Sequence, residues 1–372
     1  MLVRLLFLPL LLHAYLAWRL VPPLPGPAAL ALGAYLVFSC GAIPLGLMHR
    51  HVARPPQADR LAWLGFAAMG VFSSLLAFTL MRDALLLAAS WFTAVGPWLA
   101  PSALAVLALT AAVSLYGFWR ARRVPPVRRV KLHIPGLAAG LVGLRILQIT
   151  DLHVGPTIRR PFVQAMVQRA NALQADVVAL TGDLVDGPVD ELREHTAPLA
   201  ALRARLGVYL VTGNHEYYAG CTPWLQEYRR LGLQVLLNEH RLLTTGHPGA
   251  QLLLAGVTDW SAHHFDVSHR SDPQAALHGA SESVDLRLLL AHQPRSAAAA
   301  EQAGFDVQLS GHTHGGQLWP WAYLVYLQQP YRAGLARRGR LQVYVSRGSG
   351  YWGPPMRLGA PSELSLITLV AA

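Results

Sequence analysis

Cysteine is almost missing from this chain of 372 residues, with only Cys40 and Cys221 present. The two lie far apart, one of them inside an apolar stretch, so no disulfide framework is implied. Charge is scarce too. Charged residues make up 14% of the sequence and hydrophobic residues 53%, where about a quarter charged is usual. Acidic residues are the scarcer sign, 20 Asp and Glu against 31 Lys and Arg, for a net charge of +11. Internal repeats and low-complexity tracts are missing, and the alanines at Ala297–Ala300 read as helix. No nucleic-acid reader motif accompanies the basic excess, so nucleic acid is not an expected partner. Much of that excess borders apolar spans, which favours an anionic membrane surface. The length allows one or two folding units with a sizeable core.

The apolar excess is concentrated in the first 120 residues. Leu2–Leu20, Ala28–Met48, Leu61–Met81 and Pro101–Trp119 each approach the ~20 residues that cross a bilayer. A signal peptide is the competing reading of the first, but no small-x-small cleavage site follows cleanly and further spans come next. Ala84–Ala100 is apolar yet interrupted by Gly96 and Pro97. It extends the third helix, lies in the interface, or makes a fifth crossing. Arg50, Arg54 and Arg60 follow the second span, and Arg120, Arg122, Arg123, Arg128, Arg129 and Lys131 follow the last. With four crossings both basic segments fall on the cytoplasmic side. The expectation is a multi-pass protein of the cell membrane, with the lipid bilayer as partner and the remaining domain on the cytoplasmic face. Residues 1–120 form the membrane region, 121–143 a basic, Pro-containing linker around Val124-Pro125-Pro126, and 144–372 a second domain.

From Leu144 the pattern changes to short apolar strands alternating with amphipathic helices. Strands are expected at Arg145–Thr150, Asp176–Leu180, Gly207–Val211, Val235–Leu237, Leu252–Val257, Leu286–Leu290, Val307–Leu309, Gln342–Val345 and Leu364–Leu369. Helices are expected at Pro161–Leu173, Val189–Leu206 and Pro223–Leu231. Early alternation and late strand richness predict an α/β layered sandwich of two mixed β-sheets flanked by helices, with its ligand site beyond the strand ends.

Polar groups gather at those ends. Asp151-Leu152-His153 follows the first strand, Gly182-Asp183 with Asp186 the second, and Gly213-Asn214-His215-Glu216 the third. His292 follows Leu286–Leu290, and Gly311-His312-Thr313-His314 follows Val307–Leu309. A lone His or Asp at a strand end is most often a cap or a satisfied polar group. Five clusters at five strand ends are not explained that way. Carboxylate, imidazole and amide oxygen without thiolate suit borderline-hard divalent ions such as Mn, Fe or Zn. Seven candidates exceed the four to six donors that one ion needs, and they fit two ions sharing a carboxylate. Such a pair activates water and stabilises a phosphoryl transition state.

This ordered set resembles the calcineurin-like metallophosphoesterase superfamily. The wordings Thr150-Asp151-Leu152-His153, Ala291-His292-Gln293-Pro294 and Gly311–Gln317 are similar to its bacterial membrane-associated phosphodiesterases and to transmembrane proteins carrying such a domain. The resemblance implies two divalent metal ions. Asp151, His153 and His314 would hold the first, Asn214, His292 and His312 the second, and Asp183 would bridge them. His215 would be catalytic and face the substrate, stabilising the phosphoryl oxygens or protonating the leaving group, oriented by Asp186. Gly187 stands where the protein phosphatase branch has a phosphate-gripping arginine, which favours diesters or lipid-linked phosphates. Arg347 and Arg357 are candidate replacements. His263, His264 and His269 are further candidates to line the site.

The aromatic run Trp319, Trp321, Tyr323 and Tyr326, with Tyr351-Trp352, reads either as core or as a segment at the membrane interface. The expected function is hydrolysis of a phosphodiester or lipid-linked phosphate by a metal-activated water. The alternatives are a phosphomonoesterase or nucleotide hydrolase with a soluble substrate, and a non-catalytic scaffold that keeps the fold.

Overall fold

The computed structural model describes residues 2–245, 250–281 and 283–372. It divides into two compact units, one of Met1–Arg122 with Gly353–Leu358 and one of Arg123–Trp352 with Gly359–Ala372.

The first unit is helical. It contains α1 (Leu2–Leu20), α2 (Gly26–Leu47), the short α3 (His49–Val52), α4 (Gln57–Ala89) and α5 (Leu99–Ala121). Among the described residues, the segments Gly26–Leu47, Gln57–Ala89 and Gly96–Ala121 are long and apolar enough to cross a membrane. The remaining expected span is α1, a helix of 19 residues whose side chains at 2–7 lie outside the described set. The ambiguous stretch resolves into two parts. Its first residues prolong α4 to Ala89, and the rest turns through a single 3₁₀ turn at Gly96–Trp98 into α5. Helices α2 and α4 meet at glycine. A Cβ on Gly46 would stand 2.6 Å from the Gly65 Cα, so only small residues allow this approach.

The charged groups between α1, α4 and α5 are paired locally. Asp83 accepts from Tyr15 Oη at 2.7 Å, from Arg19 Nε and a terminal Arg19 nitrogen at 2.7 and 3.0 Å, and from Arg82 at 2.9 Å. Arg82 also donates to Ser102 Oγ and to the Leu99 carbonyl. Buried His13 sits 3.0 Å from Ser39 Oγ and stacks on Phe72.

The second unit opens with β1 (Val127–Ile134), inside the segment expected to be a linker. It pairs in parallel with the last strand, from Val127 opposite Leu364 to Ile134 opposite Ala371. Leu132 and Ile134 are buried while Arg128, Arg129 and Lys131 point outward or half outward. Arg129 and Lys131 on the open side, with Arg128 on the same face as Leu132, hide a two-residue alternation. The unit therefore starts earlier than residue 144.

There follow β2 (Arg145–Ile149), α6 (Arg160–Asn171), β3 (Val177–Thr181), α7 (Val189–Thr196), β4 (Val208–Val211), α8 (Asn214–Tyr218), α9 (Cys221–Arg230) and β5 (Gln234–Val235). Next come β6 (Glu239–Thr244), β7 (Gln251–Gly256), β8 (Leu286–Leu290), α10 (Ala297–Gln302), β9 (Val307–Ser310), β10 (Gly334–Arg338), β11 (Leu341–Val345) and β12 (Leu364–Ala371). They form two six-stranded sheets, in the orders β1-β12-β2-β3-β4-β5 and β10-β11-β9-β8-β7-β6. Strands β2 to β5 run parallel, as do β7, β8, β9 and β11. Antiparallel β12, β6 and β10 make both sheets mixed.

The facing sides share one core. Ile146, Val177, Ala179 and Val211 of the first sheet pack with Leu252, Leu254, Leu288 and Leu309 of the second. Each fully buried aliphatic side chain contributes about 1.5–3 kcal/mol. Strands β6 and β10, not expected from the sequence, are the edges of the second sheet. Their charged sequences suit an edge that must not recruit another strand.

Candidate functional site

The parallel strands β2, β3 and β4 of one sheet and β8 and β9 of the other all end at the same edge. Immediately after them the backbone turns sharply, and the turning residues are the polar ones themselves. Asp151, His153, Asp183, His312 and His314 have φ of 52°, 52°, 53°, 70° and 51°. Non-glycine residues in this left-handed region are sparse, and clusters of them persist only where the surroundings over-determine the backbone. Gly182, Gly315 and Gly316 share this positive φ, while Gly311 supplies room, because a Cβ there would overlap the Asp151 carboxylate and the Thr150 hydroxyl.

The loops are tied across the two sheets. Gln148 Nε2 on β2 donates to Thr181 Oγ1 and to the Ser310 carbonyl of β9, at 2.8 and 2.9 Å. The His312 amide donates to both Asp151 oxygens, at 2.9 and 3.1 Å.

Two groups of potential donors result. Asp151, His153 and His314 bring one donor atom each within 4.8 Å of one another, and so do Asp183, His292 and His312. In the first group, His153 Nε2 stands 2.9 Å from His314 Nε2, which is 3.5 Å from Asp151 Oδ1. In the second, His292 Nε2 is 3.0 Å from Asp183 Oδ2 and 3.3 Å from His312 Nδ1. Asp183 Oδ2 also lies 4.0 Å from His153 Nε2, between the two groups.

The donor set fits cations. His292 Nδ1 points at the Thr181 carbonyl at 2.7 Å, so it must donate. Its Nε2 then faces the Asp183 carboxylate, an arrangement that takes a positive charge, a proton or a metal ion, between the two. His153 repeats the pattern, with Nδ1 held by Asp186 Oδ1 at 2.7 Å and Nε2 turned to another imidazole. Asn214 is 7% exposed, and its Oδ1 has no hydrogen-bond partner. Its backbone neighbour Gly213 abuts the His292 loop, since a Cβ on Gly182 would stand 2.6 Å from Gly213 N and 2.8 Å from His292 Nδ1. A buried amide oxygen without a partner, on the loop next to a cluster of imidazole nitrogens and carboxylates, is a donor set that fits a divalent ion.

The electrostatics agree. Burial alone would raise the Asp183 carboxyl, but His292 and His215 outweigh it and hold it well below the usual range. Asp151 is pushed up by burial despite His292 nearby. His312 is pushed down to about 3 by burial and by the charge of His292.

Beside the clusters, Asp186 Oδ1 accepts from two imidazoles at once, His153 Nδ1 and His215 Nδ1, each at 2.7 Å. The three also form a close group of potential donors. Burial opposes ionisation of His215, but the charges of Asp183 and Asp186 raise it to about 9.

Glu216 acquires a role that the sequence did not suggest. It is fully buried. Its carboxylate accepts from the amides of Asp183, Leu184 and Gly213, at 3.0, 2.8 and 2.7 Å, and from Tyr228 Oη at 3.0 Å. The available signal was its position three residues after Gly213, where Glu commonly reaches back to the start of a helix.

The other candidates are not members of the donor groups, although the Arg347 side chain lies against Gly315, next to His314. His263 and His264 lie against each other in a short turn, and His269 Nδ1 pairs with Tyr217 Oη at 2.9 Å. Arg347 lies 3.5 Å from Glu363. Arg357 is 2% exposed and belongs to the Gly353–Leu358 segment of the helical unit.

Comparison with known proteins gives this arrangement a family. Residues 144–316 match the family described as Calcineurin-like phosphoesterase. A "Transmembrane protein with metallophosphoesterase domain" from Danio rerio is 38% identical over 72% of this chain and 62% of its own length. The chain thus spans a little under two thirds of that relative. An "Uncharacterized metallophosphoesterase" from Aquifex aeolicus is 32% identical over 61% of this chain and 85% of its own. Among solved structures, a dimetal phosphatase from Danio rerio aligns with a TM-score of 0.36 at 12% identity, over 60% of this chain and 91% of that one. The ordered strand-end residues, the paired mixed sheets and the matched relatives together place this chain in the calcineurin-like phosphoesterase family.

Proposed function

We propose that the chain is a membrane-anchored, two-metal phosphoesterase that hydrolyses a phosphodiester or a lipid-linked phosphate. The observation that carries this reading is the pair of donor groups with Asp183 between them and His215 alongside. Asp151, His153 and His314 would hold one ion, Asn214, His292 and His312 the other, and Asp183 would touch both. Two such ions supply Lewis acidity toward the phosphoryl oxygens and lower the pKa of a nearby water.

The protein's own groups do the rest. His215 carries a proton at Nε2 and delivers it to the departing oxygen, because an alkoxide is a poor leaving group. Asp186 fixes the tautomer by occupying Nδ1 and balances the charge. Glu216 holds the backbone of Asp183 and of Gly213 next to Asn214, so the two loops cannot drift apart.

We assign α1 to α5 to the membrane as a multi-pass anchor and the β-sandwich, opening at β1, to the cytoplasmic face. The basic residues after α2 and α5 support that orientation. A lipid-linked substrate is supported by the segment beyond the His-x-His turn, where Tyr323, Leu324, Tyr326 and Leu327 are 63%, 53%, 58% and 80% exposed. An exposed aromatic run of this kind suits a membrane interface.

The deciding experiment is turnover of the purified full chain, with metal analysis, on bis-p-nitrophenyl phosphate and p-nitrophenyl phosphate. Metal-dependent turnover with the diester preferred is expected. Monoester preference moves the substrate class to phosphomonoesters, and no turnover with any divalent ion leaves a scaffold. Protease digestion of the sandwich in intact cells would overturn the cytoplasmic placement.

A further inference from the structure

His215 is ringed by aromatic side chains that the chemistry described so far does not use. Tyr218 meets its imidazole edge-on at 5.2 Å between centroids, and Trp352 does so at 5.8 Å. Phe265 meets Tyr218 at 5.5 Å. All three stay open, Tyr218 at 62%, Phe265 at 53% and Trp352 at 49% exposure. Large apolar side chains left open in one contiguous patch beside a reacting group mark a binding surface more than a packing accident.

Trp352 is held in place with unusual care. Gln317, three residues past His314, clamps its backbone at two points. Gln317 Nε2 donates to the Trp352 carbonyl at 2.8 Å, and the Trp352 amide donates to Gln317 Oε1 at 3.0 Å. Gln317 itself takes φ 51° and ψ −54°, a conformation rare for a residue with a side chain. On the other flank, the Ser349 amide donates to the Thr150 carbonyl and the Gly350 amide to the Asp151 carbonyl, at 2.7 and 2.9 Å. The backbone that carries the indole is thus tied to both loops that present proposed metal ligands.

We propose that Tyr218, Phe265 and Trp352 form a subsite for a hydrocarbon arm of the substrate's leaving group, with Gln317 as the positioning residue that sets Trp352. This inference rests on the phosphoesterase reading and deepens it to a substrate class, esters whose departing alcohol carries an alkyl chain. Tyr218 and Phe265 meet at 61° between planes, so these two rings stand edge-to-face and not as parallel walls. That surface suits a chain laid across several rings more than a flat base stacked between two. Placing the arm beside His215 sets the departing oxygen where the imidazole can protonate it.

The test uses the full chain in nanodiscs, with bis-p-nitrophenyl phosphate as the reporter and the inert diesters dimethyl and dibutyl phosphate as competitive inhibitors. In the wild type, dibutyl phosphate is expected to bind on the order of tenfold tighter than dimethyl phosphate. Trp352→Ala and Tyr218→Ala should erase most of that ratio and leave the dimethyl constant within about twofold. Gln317→Ala should reduce the ratio in the same direction, and Gln317→Glu, which keeps an acceptor for the Trp352 amide, should restore part of it. Leu242→Ala, an exposed apolar site on β6, should leave the ratio intact. A chain-length ratio near one in an active wild type overturns the subsite. So does an equal loss of both inhibitors in the variants, which makes Trp352 merely structural. A ratio that instead tracks the adenosine arm of adenosine 5′-monophosphate methyl ester replaces the hydrocarbon with a base and overturns the proposal as stated. Absence of any metal-dependent turnover overturns the subsite and the phosphoesterase reading together.

Discussion

The helical unit and the strand-end site of the sandwich treat buried charge in opposite ways. In the helical unit Asp83 is met by Arg19, Arg82 and Tyr15, and Arg82 spends its remaining donors on Ser102 and Leu99. Charge is paired where it arises, as an apolar surrounding demands. At the strand ends, Asp151 and Asp183 are buried within one cluster and face the imidazoles of His153, His292 and His314 instead of arginines. Buried charge that is paired holds a structure together. Buried charge gathered without closure marks a place for something from outside.

The sharpest way to break this contrast is at Asp183. Asp183→Asn removes the one carboxylate set between both donor groups and should lower kcat/KM for bis-p-nitrophenyl phosphate by about 10³-fold or more, with a loss of bound metal by elemental analysis. Full metal content and full activity in that variant would dissolve the two-ion reading. His215→Ala should cost about 10²–10⁴-fold in kcat while metal content stays at the wild-type level, because the residue is assigned to the substrate. Metal lost in parallel would instead make it a ligand.

Glu216→Gln touches neither ion nor substrate. It leaves one of the Glu216-bound donors without an acceptor, and a fall of about 10–100-fold in activity or metal affinity is expected, the range for groups supporting a ligand shell. Asp83→Ala is the control from the other unit. It strands two arginines and should destabilise the helices by about 2 kcal/mol, read as a lower Tm, while kcat in the surviving protein is unchanged. A changed kcat would mean that the helical charges serve the chemistry.

Much of this was legible in the sequence because the site is built from consecutive strand ends. Each apolar run that could be recognised as a strand pointed directly to its polar terminus, so Asp151, Asp183, Asn214, His292 and His312 fell into order without any knowledge of pairing. The pieces that were not legible share a cause, since each has a pattern owed to its neighbours. Strand β1 is camouflaged by Arg129 and Lys131 on its open side and by Arg128, which reaches Glu363, and becomes a strand only beside β12. Strands β6 and β10 carry charge because they are edges. Helix α8 is only five residues long and follows the third strand directly, too short for periodicity to register. Glu216 was visible as part of a motif, but its work is done on backbone amides that three different positions bring to it. Asp186 was expected to serve His215 alone, and its second partner, His153, comes from another strand end.

That shared oxygen on Asp186 has a consequence for how such an enzyme can change. One atom sets the tautomer of an imidazole assigned to an ion and of an imidazole assigned to the departing group. On these roles the two properties have no separate adjustment. A substitution selected for a new metal through Asp186 would arrive with a new tolerance for leaving groups, and a shift of substrate made there would be felt as a shift in metal retention. Adaptation of either trait alone would have to proceed through residues that meet only one of the two rings.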